Sequence, residues 1–206
     1  MKEGIIMALG CDTATTITSA RLATLVNGGY TFVGRYLAGN YALTASEKSI
    51  ITGGGLYIVS IWEKGSPTSS SYFTAEKGTS DATSAISAAQ AIGQPSGTPI
   101  YFTVDYDASA SDISGPIKNY LQAVKAVFVE QNYPYALGLY GSGAVLTYYQ
   151  NTFTYTWLAG ASGWSGSSTY TGYALKQYSN ETTIGSGAGK ITIDKDDSNG
   201  SAGGWM

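Results

Sequence analysis

Short apolar runs alternate with amphipathic stretches along the first 150 residues of the chain. The runs are rich in Val, Ile, Tyr and Phe and are bounded by Gly, Asn and Pro, which is typical of strands buried in a sheet. Between them, apolar residues recur at helical spacing, most clearly in the stripe Ile117, Leu121, Val124 and Phe128. The pattern predicts a strand followed by a helix, five times over.

The predicted strands of this part cover residues 5–12, 31–36, 56–62, 99–107 and 135–140. The predicted helices cover residues 17–26, 44–53, 81–92, 112–131 and 144–150. The second of these helices opens on a Thr44–Glu47 capping box. A Ser- and Gly-rich segment, residues 64–79, predicts a long loop after the third strand.

The pattern changes after Thr152, where three further strands are predicted without helices between them, at residues 156–161, 173–178 and 190–194. Eight strands that mostly alternate with helices favour an α/β fold, a closed parallel TIM-type (β/α) barrel of (β/α)5β3-like plan. An open doubly wound sheet is the alternative, weakened because no phosphate-binding glycine fingerprint follows the first strand. Residues 1–206 are expected to form a single domain, and residues 196–204 a solvated loop.

Composition removes several classes of function. A net charge of −3 and a charged fraction of only 12% leave no basic surface for nucleic acid or for an anionic membrane. The chain has no histidine and only one cysteine, Cys11, which excludes Ser-His-Asp and Cys-His catalysis and the usual zinc sites. Any chemistry must therefore use carboxylates, hydroxyls, lysine or arginine.

Acidic residues gather at the predicted strand ends. They are Asp12, Glu63, Asp105 with Asp107, and Asp194 with Asp196. The carboxyl ends of parallel barrel strands meet at one face, so these side chains are expected around one mouth. Side chains alternate along a strand, which predicts that Asp105 and Asp107 point the same way. The alternative for Asp107 is that it caps the following turn.

Aromatic residues accompany the acids at the same strand ends, among them Trp62, Tyr140, Trp157 and Tyr178. Carboxylates beside aromatic rings suit a sugar, and paired acids without histidine suit glycoside hydrolysis. Crowded carboxylates keep one member protonated near neutral pH. Two alternatives stay open: a non-catalytic glycan-binding module, and an enzyme that binds Mg²⁺ through Asp105, Asp107, Asp194 and Asp196.

Four motifs resemble, in order, the strand-end signatures of glycoside hydrolase family 25 lysozymes. They are Gly10-Cys11-Asp12-Thr13, Asp105-Tyr106-Asp107, the Ala174 to Ser179 run and Ile193-Asp194. The chain resembles still more closely the related glycoside-hydrolase-like domain of unknown function 1906, whose pattern is similar at residues 32–37 and 43–47. The resemblance implies an N-acetylmuramidase-like barrel that acts on bacterial cell wall.

Family 25 enzymes end strand four in Asp-x-Glu, with the Glu as proton donor. Carried over by position, the resemblance makes Asp107 the donor and Asp105 the assisting carboxylate, with Asp12 and Asp194 lining the subsite. The chain departs from the family at the donor, because Asp107 is one methylene shorter than Glu. Glu63 is therefore the other candidate acid.

The remaining candidates concern substrate binding. Arg35 is expected to pair with a substrate carboxylate or to neutralise nearby acids, and Gln177 and Tyr178 to hydrogen-bond sugar hydroxyls. Substrate binding is thus assigned to Asp12, Arg35, Trp62, Tyr140, Trp157, Gln177, Tyr178 and Asp194. We expect a monomer without metal or other cofactor, with bacterial cell-wall glycan as its partner. We also expect a secreted or phage-released protein, although the sequence contains no recognisable signal peptide.

Overall fold

Eight strands follow one another around a closed barrel in the order of the sequence. The computed structural model describes residues 8–200 and 202–206, so residues 5–7 of the predicted first strand lie outside it. The strands are β1 Ala8–Asp12, β2 Phe32–Tyr36, β3 Tyr57–Trp62, β4 Pro99–Thr103, β5 Ala136–Gly141, β6 Tyr155–Leu158, β7 Leu175–Ile184 and β8 Ile191–Ser198. The predicted α/β barrel is confirmed.

Six α-helices pack around the barrel: α1 Ser19–Asn27, α2 Ala45–Gly53, α3 Ala75–Ile92, α4 Ala110–Ser114, α5 Pro116–Glu130 and α6 Gly143–Tyr149. The predicted helix 112–131 is divided in two, because Pro116 cannot continue the hydrogen-bond ladder of α4 and instead opens α5. Helix α3 begins earlier than predicted, at a Thr74 cap that accepts a hydrogen bond from the Lys77 amide. Among the described residues, no helix combines the length and apolarity needed to cross a membrane.

The last strand runs against its neighbours. Strands β1 to β7 pair in parallel, whereas β8 is antiparallel to both β7 and β1. The parallel direction predicted for this strand is wrong because residues 185–190, which join β7 to β8, are too few for a crossover and form a hairpin. Strand β8 also extends to Ser198, so the solvated loop predicted from residue 196 is wrong at its start.

The chain also packs against the barrel just after the predicted loop, which ends at residue 204. Trp205 is buried and pairs with Ile58 on β3 through two backbone hydrogen bonds. Its indole donates a hydrogen bond to the Ser60 hydroxyl over 2.9 Å. This strand-like contact lies near the start of β3, away from the carboxyl ends of the parallel strands.

Large apolar side chains fill the barrel interior: Phe32, Val59, Ile61, Tyr101, Trp157 and Leu175. The outer faces of the strands pack against the helices in two further apolar clusters. Gly34 faces the interior, where an added Cβ would lie 2.7 Å from the Cβ of Asp12 and 2.9 Å from the Trp157 ring. The missing side chain leaves room for Asp12 and Trp157 at the mouth of the barrel.

Candidate active site

A cavity of about 470 Å³ opens at the carboxyl ends of the parallel strands. Five acids line it: Asp12, Glu63, Asp105, Glu181 and Asp194. Its other lining side chains are Tyr36, Ile61, Thr103, Tyr140, Trp157, Gln177 and Asn180. None of the described lining residues is a lysine or an arginine. The cavity therefore carries negative potential without a cation to balance it.

Two different strand directions bring these acids together. Asp12 ends β1, Glu63 follows the end of β3, and Asp105 follows the end of β4, as expected for parallel strands. Asp194 reaches the same mouth from the middle of the antiparallel β8, where it lies directly opposite Asp12 in the strand pairing. The predicted meeting of these four acids is therefore observed, although Asp194 arrives by a different geometry.

Asp107 does not line the cavity. Strand β4 ends at Thr103, and the Asp105 amide donates to the carbonyl of Pro67 in the β3–α3 segment over 3.0 Å. The predicted alternation of Asp105 and Asp107 on one strand face is wrong because the strand stops before either residue. The Asp107 carboxylate is exposed and accepts a hydrogen bond from the Ser165 amide over 2.8 Å.

Gln177 joins two neighbouring acids of the cavity, Asp12 and Asp194, which face each other across the β1–β8 pairing. Its Nε2 donates to Oδ2 of Asp12 over 3.0 Å and to Oδ2 of Asp194 over 3.1 Å. Its Oε1 accepts from the Tyr140 hydroxyl over 3.1 Å and from the Gly160 amide over 3.0 Å. Because both N–H groups and both lone pairs of the amide are used, the orientation of Gln177 is fixed, and it holds the two carboxylates in place.

Trp157 forms part of the cavity wall and is otherwise buried. Its ring meets the Tyr140 ring edge-on, with 5.8 Å between ring centroids. Its indole Nε1 donates to Oδ1 of Asp196 over 3.0 Å, one layer deeper in the barrel. The two rings give the cavity an apolar stretch of wall on β5 and β6, between Asp105 and Glu181.

Arg35 lies on the outer face of the barrel, not at the cavity. Its Nε lies 3.0 Å from Oε1 of Glu47, its Nη2 donates to Oε2 of Glu47 over 3.3 Å, and its Nη1 donates to the Thr13 carbonyl. Gly34 and Tyr36 face inward on β2, so the residue between them faces outward. The expected role of Arg35 in pairing with a substrate carboxylate has no support from this position.

Trp62 and Tyr178 also lie off the cavity. Trp62 is 3% exposed and belongs to the apolar layer between barrel and helices, because Ile61 takes the inward position at the end of β3. Tyr178 is 44% exposed, on the face of β7 opposite to Gln177. The predicted contribution of Trp62 and Tyr178 to substrate binding has no support from these positions, because both aromatic residues fall on outward positions of their strands.

Burial and mutual repulsion raise the pKa of the acids at the mouth. Burial and then the charge of Asp105 raise the pKa of Glu63 to about 7, against the effect of a hydrogen bond with Thr103. Burial and then the charge of Asp194 raise the pKa of Asp105. A carboxylic acid that keeps its proton near neutral pH beside a second carboxylate is the arrangement required for acid catalysis.

The same causes act deeper in the site. Burial and then the charge of Asp194 raise the pKa of Asp12 to about 8, although the hydrogen bond from Gln177 opposes the shift. Burial raises the pKa of Asp194 as well, despite a hydrogen bond from the Glu181 amide over 2.5 Å. Burial thus raises the pKa of four acids at the mouth, Asp12, Glu63, Asp105 and Asp194.

The magnesium alternative fails on geometry. Of its four proposed ligands, Asp107 lies outside the cavity and Asp196 lies in the layer beneath it. Within residues 8–200 and 202–206, no group of three or more His, Cys, Asp or Glu side chains is arranged to hold a metal ion.

Sequence reasoning missed Tyr36, Thr103, Asn180 and Glu181 as lining residues. The position of Thr103 in the cavity could have been predicted, because it shares one face of the predicted fourth strand with Asp105. The positions of Asn180 and Glu181 could not, because β7 is irregular between Ser179 and Thr182, and Glu181 adopts a left-handed backbone with φ of 49°. This irregularity turns the Glu181 amide toward Asp194.

A family model described as an Rv2525c-like, glycoside hydrolase-like domain matches residues 23–198. The chain belongs to this family. A curated relative, the uncharacterized protein YbfG of Bacillus subtilis, is 41% identical over 211 residues, which cover 92% of this chain and 28% of YbfG. The chain therefore spans about a third or less of the length of the curated relatives it matches.

Solved structures share the fold of this Rv2525c-like domain. The Tat-secreted protein Rv2525c of Mycobacterium tuberculosis, in complex with L-tartrate, matches with a TM-score of 0.75 at 21% identity, over 94% of this chain and 95% of that one. The autolysin LytC of Streptococcus pneumoniae, in complex with a synthetic peptidoglycan ligand, matches with a TM-score of 0.58 at 11% identity, over 93% and 46%. A family 25 glycosyl hydrolase of Bacillus anthracis matches with 0.52 at 13%, over 94% and 89%. The resemblance drawn from the strand-end motifs is confirmed.

Proposed function

We propose that this domain hydrolyses glycosidic bonds in bacterial cell-wall glycan, as a lysozyme-type enzyme, with Glu63 as the proton donor. The observation that carries the proposal is the position of Glu63 and Asp105 on one cavity, with the pKa of Glu63 raised to about 7. Membership of a glycoside hydrolase-like family and a fold shared with peptidoglycan hydrolases support it.

In the proposed reaction, Glu63 donates its proton to the oxygen of the bond that breaks. Asp105, in its ionised form, stabilises the positive charge that develops on the sugar ring. Water then adds to the anomeric carbon and gives up a proton, which completes hydrolysis and allows Glu63 to be reprotonated. Asp105 is suited to this role because its charge is one cause of the raised pKa of Glu63. The same pair of groups thus keeps the acid protonated and stabilises the transition state.

The rest of the cavity suits a neutral sugar. Asp12 and Asp194 offer acceptors to hydroxyls, and the Tyr140 ring offers an apolar surface to a sugar face. The absence of a cation among the described lining residues disfavours an anionic group at this position. An uncharged stretch of glycan fits better.

Peptidoglycan is proposed as the glycan because LytC, which shares the fold, is known in complex with a synthetic peptidoglycan ligand. A location outside the cell or at the wall is proposed because Rv2525c is a Tat-secreted protein. A monomer, acting as one catalytic domain over residues 1–206, remains our expectation.

A non-catalytic glycan-binding module is the second candidate. Asp107, the position that corresponds to the family 25 donor, is exposed and bonded to Ser165 instead of facing the cavity. If no other acid replaces it, the cavity would bind glycan without cleaving it.

Release of reducing ends from purified peptidoglycan separates the two candidates. We expect turnover by the parent protein, and a loss of about 10²-fold or more in Glu63→Gln, because general acid catalysis contributes that much. Asp107→Asn is the matched control, an acid-to-amide change outside the cavity, and is expected to stay within about twofold of the parent. No turnover by the parent, with retained sedimentation on cell wall, would leave the binding module.

A further inference from the structure

Asp196 is a carboxyl that the proposed reaction does not use. It has no solvent exposure and lies on β8 opposite Gly10, in the interior layer beneath Asp194. Its Oδ1 accepts the hydrogen bond from the Trp157 indole over 3.0 Å. Its Oδ2 is buried and has no hydrogen-bond donor among the residues the structure describes.

The groups that act electrostatically with Asp196 come from every side of the barrel. They are Asp12 and Cys11 on β1, Tyr101 on β4, Tyr140 on β5, Tyr178 on β7 and Asp194 on β8 itself. None of these groups is a cation. Arg35 on β2 is also buried. It is paired with Glu47 on the outer side of the barrel wall.

An ionised carboxylate in this position would be very unfavourable. Burial of an unpaired charge costs several kcal/mol, and Asp196 has one neutral donor where a buried carboxylate needs several. Its neighbour Asp12 is also almost fully buried, at 5% exposure, and two adjacent carboxyls in a low-dielectric site do not both ionise. A proton between them removes the repulsion and supplies the donor that is otherwise missing.

We propose that Asp196 is a positioning residue, which holds a proton in the barrel interior and shares it with Asp12 at the cavity floor. Asp12 is then held from two directions, by Gln177 Nε2 at its Oδ2 and by the proton of Asp196. Burial and the nearby charge of Asp12 both raise the pKa of Asp196, which agrees with the retained proton. Only the consequence for sugar binding rests on the proposed function.

The shared proton predicts a weakness at alkaline pH. When the pair loses its proton, two buried carboxylates repel each other beneath the cavity, so both stability and glycan binding fall. The folded-state pKa of each acid is raised above its unfolded value, so stability is fully present at low pH and is lost as the pH rises. Stability falls from the ordinary carboxyl pKa of the unfolded chain upward, whereas glycan binding falls as the pH passes the raised folded-state pKa of the pair.

Asp196→Asn tests the proposal, because the amide accepts from Trp157 and donates permanently to Asp12 without ionising. We expect the melting temperature of the variant relative to the parent to rise by at least about 4 °C between pH 6 and pH 9. Asp197→Asn, the same change on the opposite face of β8, is the control and should show no such rise. A variant that loses stability relative to the parent as the pH rises would show that Asp196 is ionised and would overturn the proposal.

Two further measurements keep the test independent of turnover and of the variant's folding. The infrared spectrum of the parent minus that of Asp196→Asn, both at pH 7, should contain a protonated carboxyl band from a non-exchanging interior group. Absence of this band overturns the proposal. Sedimentation with cell wall should weaken in the parent as the pH rises through the folded-state pKa of the pair, and stay constant in Asp196→Asn. Because neither readout needs hydrolysis, a protein without glycosidase activity still decides the question.

Discussion

Buried carboxylates occur in two regions of this barrel, and their surroundings differ. On the outer wall, Glu47 is 2% exposed, lies 3.0 Å from the Arg35 guanidinium and accepts the Ile17 amide over 2.6 Å. At the mouth, Glu63 and Asp105 share a cavity whose described lining contains no cation. The comparison indicates that a buried acid with a cation serves the fold, whereas acids buried together retain a proton and are free to act.

Helix α3 repeats the first arrangement. Asp81 is buried and accepts from Lys77 over 2.5 Å, from Tyr72 over 2.8 Å and from Tyr120 over 2.9 Å. These bonds fix the segment that leaves β3 just after Glu63. An acid outside the cavity that is paired with a lysine thus helps to hold Glu63 in place.

The largest effect is expected at the outer wall. Arg35→Met leaves Glu47 buried without its cation, and we expect a loss of about 3–5 kcal/mol in the free energy of unfolding. Urea denaturation at pH 7 measures it. Lys125→Met, at an exposed cation on α5, is the control, and an equal effect of the two changes would contradict the distinction between the regions.

Glu63→Gln should stabilise the protein, whereas Arg35→Met destabilises it. The pKa of Glu63 in the folded protein, about 7, lies above its unfolded value, so its contribution to stability is complete at acidic pH and is lost as the pH rises toward 7. We expect the variant to gain about 2–3 kcal/mol relative to the parent between pH 4 and pH 8. Urea denaturation across this range checks it, with the exposed Glu130→Gln as control.

A smaller effect is expected at the bridge between the acids. Gln177→Leu leaves the Tyr140 hydroxyl and the Gly160 amide without their acceptor, which should cost about 2 kcal/mol in unfolding free energy. Glycan sedimentation should weaken as well, because Asp12 and Asp194 lose their common donor. Gln122→Leu on the exposed side of α5 is the control; equal stability of both variants would rule out a fixed bridge.

The smallest effect is expected at Asp107. Its carboxylate is exposed and accepts one backbone hydrogen bond, so Asp107→Asn should change the unfolding free energy by less than about 0.5 kcal/mol. Sedimentation with cell wall should be unchanged. A large loss of binding would mean that the loop after β4 turns Asp107 into the cavity in solution.

The apolar runs along the sequence were sufficient to predict the barrel and to place four of the acids at its mouth. Asp12, Glu63 and Asp105 follow apolar runs, and runs that end on acids are visible in the sequence. The direction of β8 was not visible, because residues 179–189, between the predicted strands 173–178 and 190–194, were interpreted as one more Gly- and Ser-rich loop. The same error placed Asp196 in a polar tail, although its strand partners enclose it completely.

Two other residues were misplaced for reasons of geometry. Strand β2 is buried on both faces, so its composition does not reveal which alternate residues point inward, and Arg35 was assigned to the wrong side. The end of β4 is set by the Pro67 carbonyl, a partner distant in sequence that takes the Asp105 amide. Neither the inward direction of β2 side chains nor the Asp105–Pro67 hydrogen bond leaves a local pattern in the sequence.

The titration of Glu63 tests the central claim most directly. Carbon NMR of side-chain carboxyls in protein labelled at glutamate, with Glu63→Gln to assign the resonance, gives its pKa without substrate. We predict a midpoint near the value of about 7 for Glu63, and a lower one in Asp105→Asn, where the neighbouring charge is removed. A midpoint in the ordinary glutamate range, unchanged by Asp105→Asn, would contradict the claim that these acids retain a proton because they are buried together.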